Sequence, residues 1–125
     1  MVLLVSYRIL RLLRDAVPPV QETVAQVLEE RGLRAGDRVA QMLFDNRDVH
    51  YWAHLGQFVI VADIPFDQEE VFWSSSPEVQ RHAELTLRQT GAKVLVTENP
   101  PSLPDGSGWE RIASTDYAVL FLDNL

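Results

Sequence analysis

Two kinds of hydrophobic patterning alternate along this chain. Short, nearly continuous apolar runs fall at Val39–Phe44, Phe58–Ala62 and Lys93–Thr97. Runs of that length, without the alternation of a half-wet strand, predict buried strands covered on both faces. Between them the apolar residues recur at helical spacing. Val20, Val24, Val27 and Leu28 share one face of a helix predicted over about 20–31, with Gly32 placed as its left-handed cap. Asp48 is the expected cap of a helix through Tyr51, Trp52 and Leu55, and Asp67 of a short helix through Val71, Phe72 and Trp73. Ser76 and Pro77 open a further helix to about Thr90, with Val79, Ala83 and Leu87 expected inward. After the proline- and glycine-rich loop 100–108, Trp109–Ala113 and Tyr117–Leu122 read as an antiparallel hairpin around Ser114-Thr115-Asp116.

Two of the strands open alike, Gly36-Asp37-Arg38-Val39-Ala40 and Gly91-Ala92-Lys93-Val94-Leu95-Val96, each after a helical stretch. Strand–helix–strand connections of this kind imply right-handed crossovers and parallel pairing. The expectation is a small three-layer, Rossmann-like α/β domain over residues 18–125. Its short parallel sheet has order 2-1-3, and the C-terminal antiparallel hairpin extends one edge.

The 125-residue length suits one domain with its own core. There is no cysteine, which removes disulfides, thiol nucleophiles and thiolate zinc sites. Charge divides the chain. Residues 1–17 hold three arginines and one aspartate, net +2, whereas residues 18–125 hold eight basic and seventeen acidic side chains, net −9. An acidic body of that kind repels a phosphate backbone, so nucleic acid is not an expected partner. The apolar stretch Met1–Leu13, with Arg8, Arg11 and Arg14, is shorter than the roughly 20 residues a bilayer span needs. Pro18-Pro19 separates it from the rest. It reads either as an amphipathic helix packed on its own domain or a second copy, or as the remnant of a membrane helix with arginines at the cytoplasmic boundary.

In open α/β sheets ligands collect beyond the carboxyl ends of the strands. Those ends carry Asp45, Asn46, Arg47, Asp63, Glu98 and Asn99. Carboxylates and amides there could hold a divalent cation or a ribose, and they also serve as ordinary turn and cap residues. No GxGxxG follows the first strand and no GxxxxGK[ST] occurs anywhere, so no phosphate cradle is legible. His50 and His54 have the i, i+4 spacing of a shared metal, but Tyr51 stands where a zinc protease needs glutamate. Ser74, Ser75 and Ser76 lack a GxSxG elbow and read as cap residues. Neither catalytic residues, metal nor cofactor is expected. Trp52, Trp73 and Trp109 read as core aromatics.

The stretches Gly32–Ala40 and Thr90–Thr97 resemble strand openings in the amino-terminal part of adenylate-forming acyl-CoA synthetases, without that family's phosphate loop. A wider resemblance runs from about Leu28 to Leu122. Gly36-Asp37-Arg38-Val39-Ala40, Tyr51-Trp52-Ala53-His54-Leu55, Ile60-Val61-Ala62-Asp63-Ile64, Phe72-Trp73, Thr90-Gly91-Ala92-Lys93 and Gly108-Trp109-Glu110-Arg111-Ile112 with Thr115-Asp116-Tyr117 carry it. They resemble the soluble C-terminal α/β domain of uncharacterised polytopic bacterial membrane proteins, some with a glycosyltransferase-like membrane portion. That resemblance implies a non-catalytic accessory or regulatory domain working through protein contacts, cytoplasmic or on the cytoplasmic side of a membrane. The alternative is a nucleotide or sugar-nucleotide binder, or small enzyme, using the strand-end carboxylates.

Overall fold

The computed structural model describes residues 19–42, 51–103 and 105–125. In chain order the elements are α1 (Pro19–Glu30), β1 (Arg38–Met42), α2 (Tyr51–Gly56), β2 (Val59–Ile64), α3 (Phe66–Ser74), α4 (Pro77–Gln89), β3 (Val94–Glu98), β4 (Trp109–Arg111) and β5 (Tyr117–Phe121). A 3₁₀ turn, Leu122–Asn124, follows β5.

The strands form one sheet in the order β2-β1-β3-β5-β4. β1 lies between β2 and β3 and is parallel to both. β5 runs antiparallel to β3, and β4 antiparallel to β5. The expected 2-1-3 core and the edge hairpin are therefore both present. The two glycine-led openings lie side by side, where the Lys93 amide donates to the Arg38 carbonyl at 2.8 Å and the Val59 amide to the Asp37 carbonyl at 2.8 Å.

Alternate residues of the inner strands face opposite ways. Val39, Val94, Val96, Tyr117 and Val119 pack with Val24, Ala25, Leu28, Trp52 and Ala53 of α1 and α2. Ala40, Met42, Leu95 and Leu120 pack on the other side with Phe72 of α3 and Leu87 of α4. Helices thus cover both faces of the sheet, which is why the strands of the middle read as unbroken apolar runs. Each fully buried large side chain of this kind contributes about 2 kcal/mol.

Helix ends follow local chemistry. α1 stops where Gly32 enters the left-handed region at φ 102°. The Leu33 amide then donates to the Leu28 carbonyl and the Gly32 amide to Glu29, both at 3.0 Å, the Schellman pattern. Ser76 caps α4 by accepting from the Val79 amide at 3.3 Å.

Two expectations are corrected. Asp67 does not cap α3; Pro65 occupies the cap position and Asp67 lies in the first turn, where its charge suits the helix dipole. Val79 does not point inward and is 56% exposed. Gln80 takes that place because its amide donates to the carbonyls of Phe72, Trp73 and Ser75 at 3.1, 3.2 and 3.2 Å, tying the end of α3 to the start of α4. Leu43 and Phe44 of the first expected strand, Asp48, and the Met1–Leu13 segment lie outside the described residues.

Candidate functional site

Parallel alignment puts the carboxyl ends of β1, β2 and β3 on one edge of the domain. Of the six residues expected to form a site there, Asp45, Asn46 and Arg47 lie outside the described residues. Asp63, Glu98 and Asn99 are described, and they do not converge.

Asp63 is exposed on the outermost strand, paired in register with Gln41, which in turn pairs with Val96. Two strand spacings and one two-residue step separate Asp63 from Glu98, roughly 12 Å between Cα atoms. Glu98 sits directly opposite Tyr117 on β5, away from β2, and is a hydrogen-bond partner of the Tyr117 hydroxyl. Asn99 adopts φ 57° and donates its amide to the Asp116 carbonyl at 2.6 Å, so it turns the chain out of β3. That is the turn role open to asparagine in the left-handed region. His54 is exposed on α2. Among the described residues no group of three metal-ligating side chains could hold an ion.

The polar contacts that do converge were not legible as a site. On one face of the sheet Gln21, 4% exposed, donates from Nε2 to the Tyr117 hydroxyl at 2.6 Å. Its Oε1 accepts the Trp52 amide at 3.0 Å, one of the first-turn amides that α2 itself cannot satisfy. One side chain thereby joins α1, α2 and β5. Burial, with the nearby Glu98 charge adding to it, pushes the Tyr117 phenol up to about 12.

On the opposite face Glu69 of α3, 8% exposed, lies over the end of β3. Its Oε1 accepts from Thr97 Oγ1 at 3.2 Å and from Trp73 Nε1 at 3.4 Å, while Oε2 has no hydrogen bond to a described residue. Burial raises its carboxyl above the ordinary range, and the charge of Glu98 adds to that. Trp73 packs in turn on Phe72 and Trp109, with ring centroids 5.0 and 5.2 Å apart. The one signal for Gln21 was its position three residues before Val24 on the inward face of α1. For Glu69 it was the i, i+4 spacing to Trp73.

Ion pairs mark the other end of the sheet. Asp37 Oδ2 accepts the Arg34 amide at 2.8 Å and Oδ1 lies 3.1 Å from Lys93 Nζ, which together hold its carboxyl below the usual range. Arg31 pairs with Glu110 and stands 4.4 Å over the Phe121 ring. A hollow of about 290 Å³ there is lined by Arg31, Leu33, Lys93, Phe121 and Asp123. Another, of about 320 Å³, runs between α1 and α2 beside Glu22, Gln26, Glu29 and Leu55. Both lie away from the strand exits.

No family model, no curated protein and no solved structure matches this chain.

Proposed function

We propose that the chain is a non-catalytic accessory or regulatory domain of a membrane-associated system, acting through protein contacts. The observation that carries this is the state of the strand exits. Glu98 is bonded within the domain, Asn99 forms a turn, and Asp63 stands apart on the edge. The same corner in a ligand-binding α/β domain gathers such groups around a cleft. The 2-1-3 portion is read as Rossmann-like, and the resemblance of residues from about Leu28 to Leu122 to C-terminal domains of bacterial polytopic proteins supports the accessory role. Among the described residues no helix is long and apolar enough to cross a membrane. Membrane association, on the cytoplasmic side, is therefore assigned to residues 1–17 with their three arginines.

Vesicle flotation tests this. The full chain is expected to float with vesicles of mixed neutral and anionic lipid, and the variant R8E/R11E/R14E to stay behind with an unchanged circular dichroism spectrum. Equal flotation of the two sinks the proposal.

A second reading, nucleotide or sugar-nucleotide binding, is favoured by one observation, the Oε2 of buried Glu69 beside Thr97, which has no hydrogen bond to a described residue. Ligand-induced shifts in the resonances of Thr97 and Trp73 would support it.

A further inference from the structure

The two edges of the sheet differ sharply. β4 is three residues long, two of them charged, and its Glu110 is held by Arg31. β2 has six residues, Val59-Ile60-Val61-Ala62-Asp63-Ile64, and Asp63 is its one charge. No described strand lies outside it. Val59 is 49% exposed, and Ile60, Val61, Ala62 and Ile64 are only half-buried, although they belong to a sheet whose middle strands are closed to solvent. An edge strand ordinarily carries lysine, proline or an outward bulge that discourages pairing. This one has neither residue within it; its one irregularity is a bulge at Val61, the extra residue between Ile60, paired with Val39, and Ala62, paired with Ala40, after which Ala62–Ile64 run in regular register. Pro65 ends the ladder after a seam of about 20 Å.

The charge at the carboxyl end of this edge is acidic, while Arg38 of β1 stands in register with Val59 at its other end. Between His54 and Arg81 there are five acidic residues and neither lysine nor arginine. Asp63 at the end of the strand, and Asp67 and Glu70 in the helix that begins two residues later, are all exposed. A second copy would bring the same three exposed carboxylates, on a chain whose net charge is already −7. A partner with basic residues at one end of an extended apolar segment meets both requirements.

We propose that the outer edge of β2 accepts an extended segment of a partner protein as a sixth strand, its apolar side chains against Val59–Ala62 and its lysines or arginines against Asp63, Asp67 and Glu70. This rests on the reading that the domain works through protein contacts, and it names the class of partner. Main-chain hydrogen bonds supply the affinity in such strand addition, and side-chain pockets and charges supply the choice of partner.

The test uses the full chain and synthetic decapeptides of alternating valine and threonine with two lysines at either the amino or the carboxyl end. Matched peptides carry two glutamates instead. One of the lysine peptides is expected to bind about tenfold tighter than its glutamate match, by fluorescence anisotropy. It should slow amide hydrogen exchange in residues 59–64, and N-methylation of alternate peptide amides should abolish binding. The exposed pair D63K/D67K should remove the preference for lysine. Equal binding of lysine and glutamate peptides, no saturation below about 1 mM, or protection elsewhere than 59–64 would each overturn the proposal. So would a dimer of the chain alone whose 59–64 amides are protected. Failure here leaves the vesicle result untouched, so the edge and the wider functional reading fail separately.

Discussion

Replacing Tyr117 by phenylalanine tests the claim that the polar groups at the strand exits hold the fold together. The substitution keeps the ring in its core site and removes only the hydroxyl. Gln21 then loses the acceptor that lies 2.6 Å from its Nε2, in a place where the side chain is 4% exposed and water cannot substitute. A buried donor left without a partner costs about 1–3 kcal/mol. Glu98 also loses a partner, but it is only half-buried, and solvent replaces that bond at little cost. The expected loss is about 2 kcal/mol, or about 8 °C in Tm for a chain of this size. Gln21→Leu should cost a similar amount, because the Trp52 amide then loses its acceptor within a buried residue. The double variant should lose about 1 kcal/mol less than the sum, since both single changes break the same Gln21–Tyr117 bond. Urea unfolding followed by tryptophan fluorescence measures all three. A Tyr117→Phe loss below about 0.5 kcal/mol, or strict additivity, would refute the strut reasoning.

Glu69 gives a pH signature of the opposite sign to ordinary acid unfolding. Its folded carboxyl is raised by burial above the usual 4.5, so the folded state holds that proton more tightly than the unfolded chain. Its stabilising effect is complete below pH 4.5 and is lost as pH rises through the raised folded value. Glu69→Gln should therefore raise stability at pH 7 and flatten the urea midpoint across that window; an unchanged slope counts against the burial argument. Gln41 is 4% exposed and has no side-chain hydrogen bond to a described residue, so Gln41→Met should be neutral or stabilising by about 1 kcal/mol in the same assay. A loss above that would mean the amide has a partner. Gly32→Ala should cost about 1 kcal/mol in thermal unfolding, purely from its φ of 102°, since nothing lies within 4 Å of the added carbon. An unchanged Tm would contradict the left-handed cap.

The architecture was legible because its causes are local. Unbroken apolar runs such as Val94–Val96 arise where helices cover both sides of a strand. Gly32, Ser76 and Pro77 mark helix ends through conformational limits that act within a few residues. The inward face of α4 was harder to read. Valine at 79 outranks glutamine at 80 on hydropathy, yet the carbonyls of Phe72, Trp73 and Ser75 at the end of α3 reward an amide there. The polar clusters were hidden for a related reason. Gln21 and Tyr117 are 96 residues apart in sequence, and nothing in either neighbourhood announces the other. Among the described strand-end carboxylates, Asp63 and Glu98 share a topological position, but the strand order sets them on β2 and β3, with β1 between. A polar residue at the end of a strand reports where the chain turns, and convergence depends on which strands become neighbours.

The most direct test of the central claim, that the strand-exit groups serve the fold and bind no ligand, is a thermal-shift series on the full chain. Purine and pyrimidine nucleotides, nucleotide sugars, magnesium, manganese and calcium would be added singly and in pairs. Unchanged melting with every addition is the expected result. Stabilisation approaching about 2.7 kcal/mol at a hundredfold excess over the dissociation constant, lost in Glu69→Gln or Glu98→Gln, would contradict it.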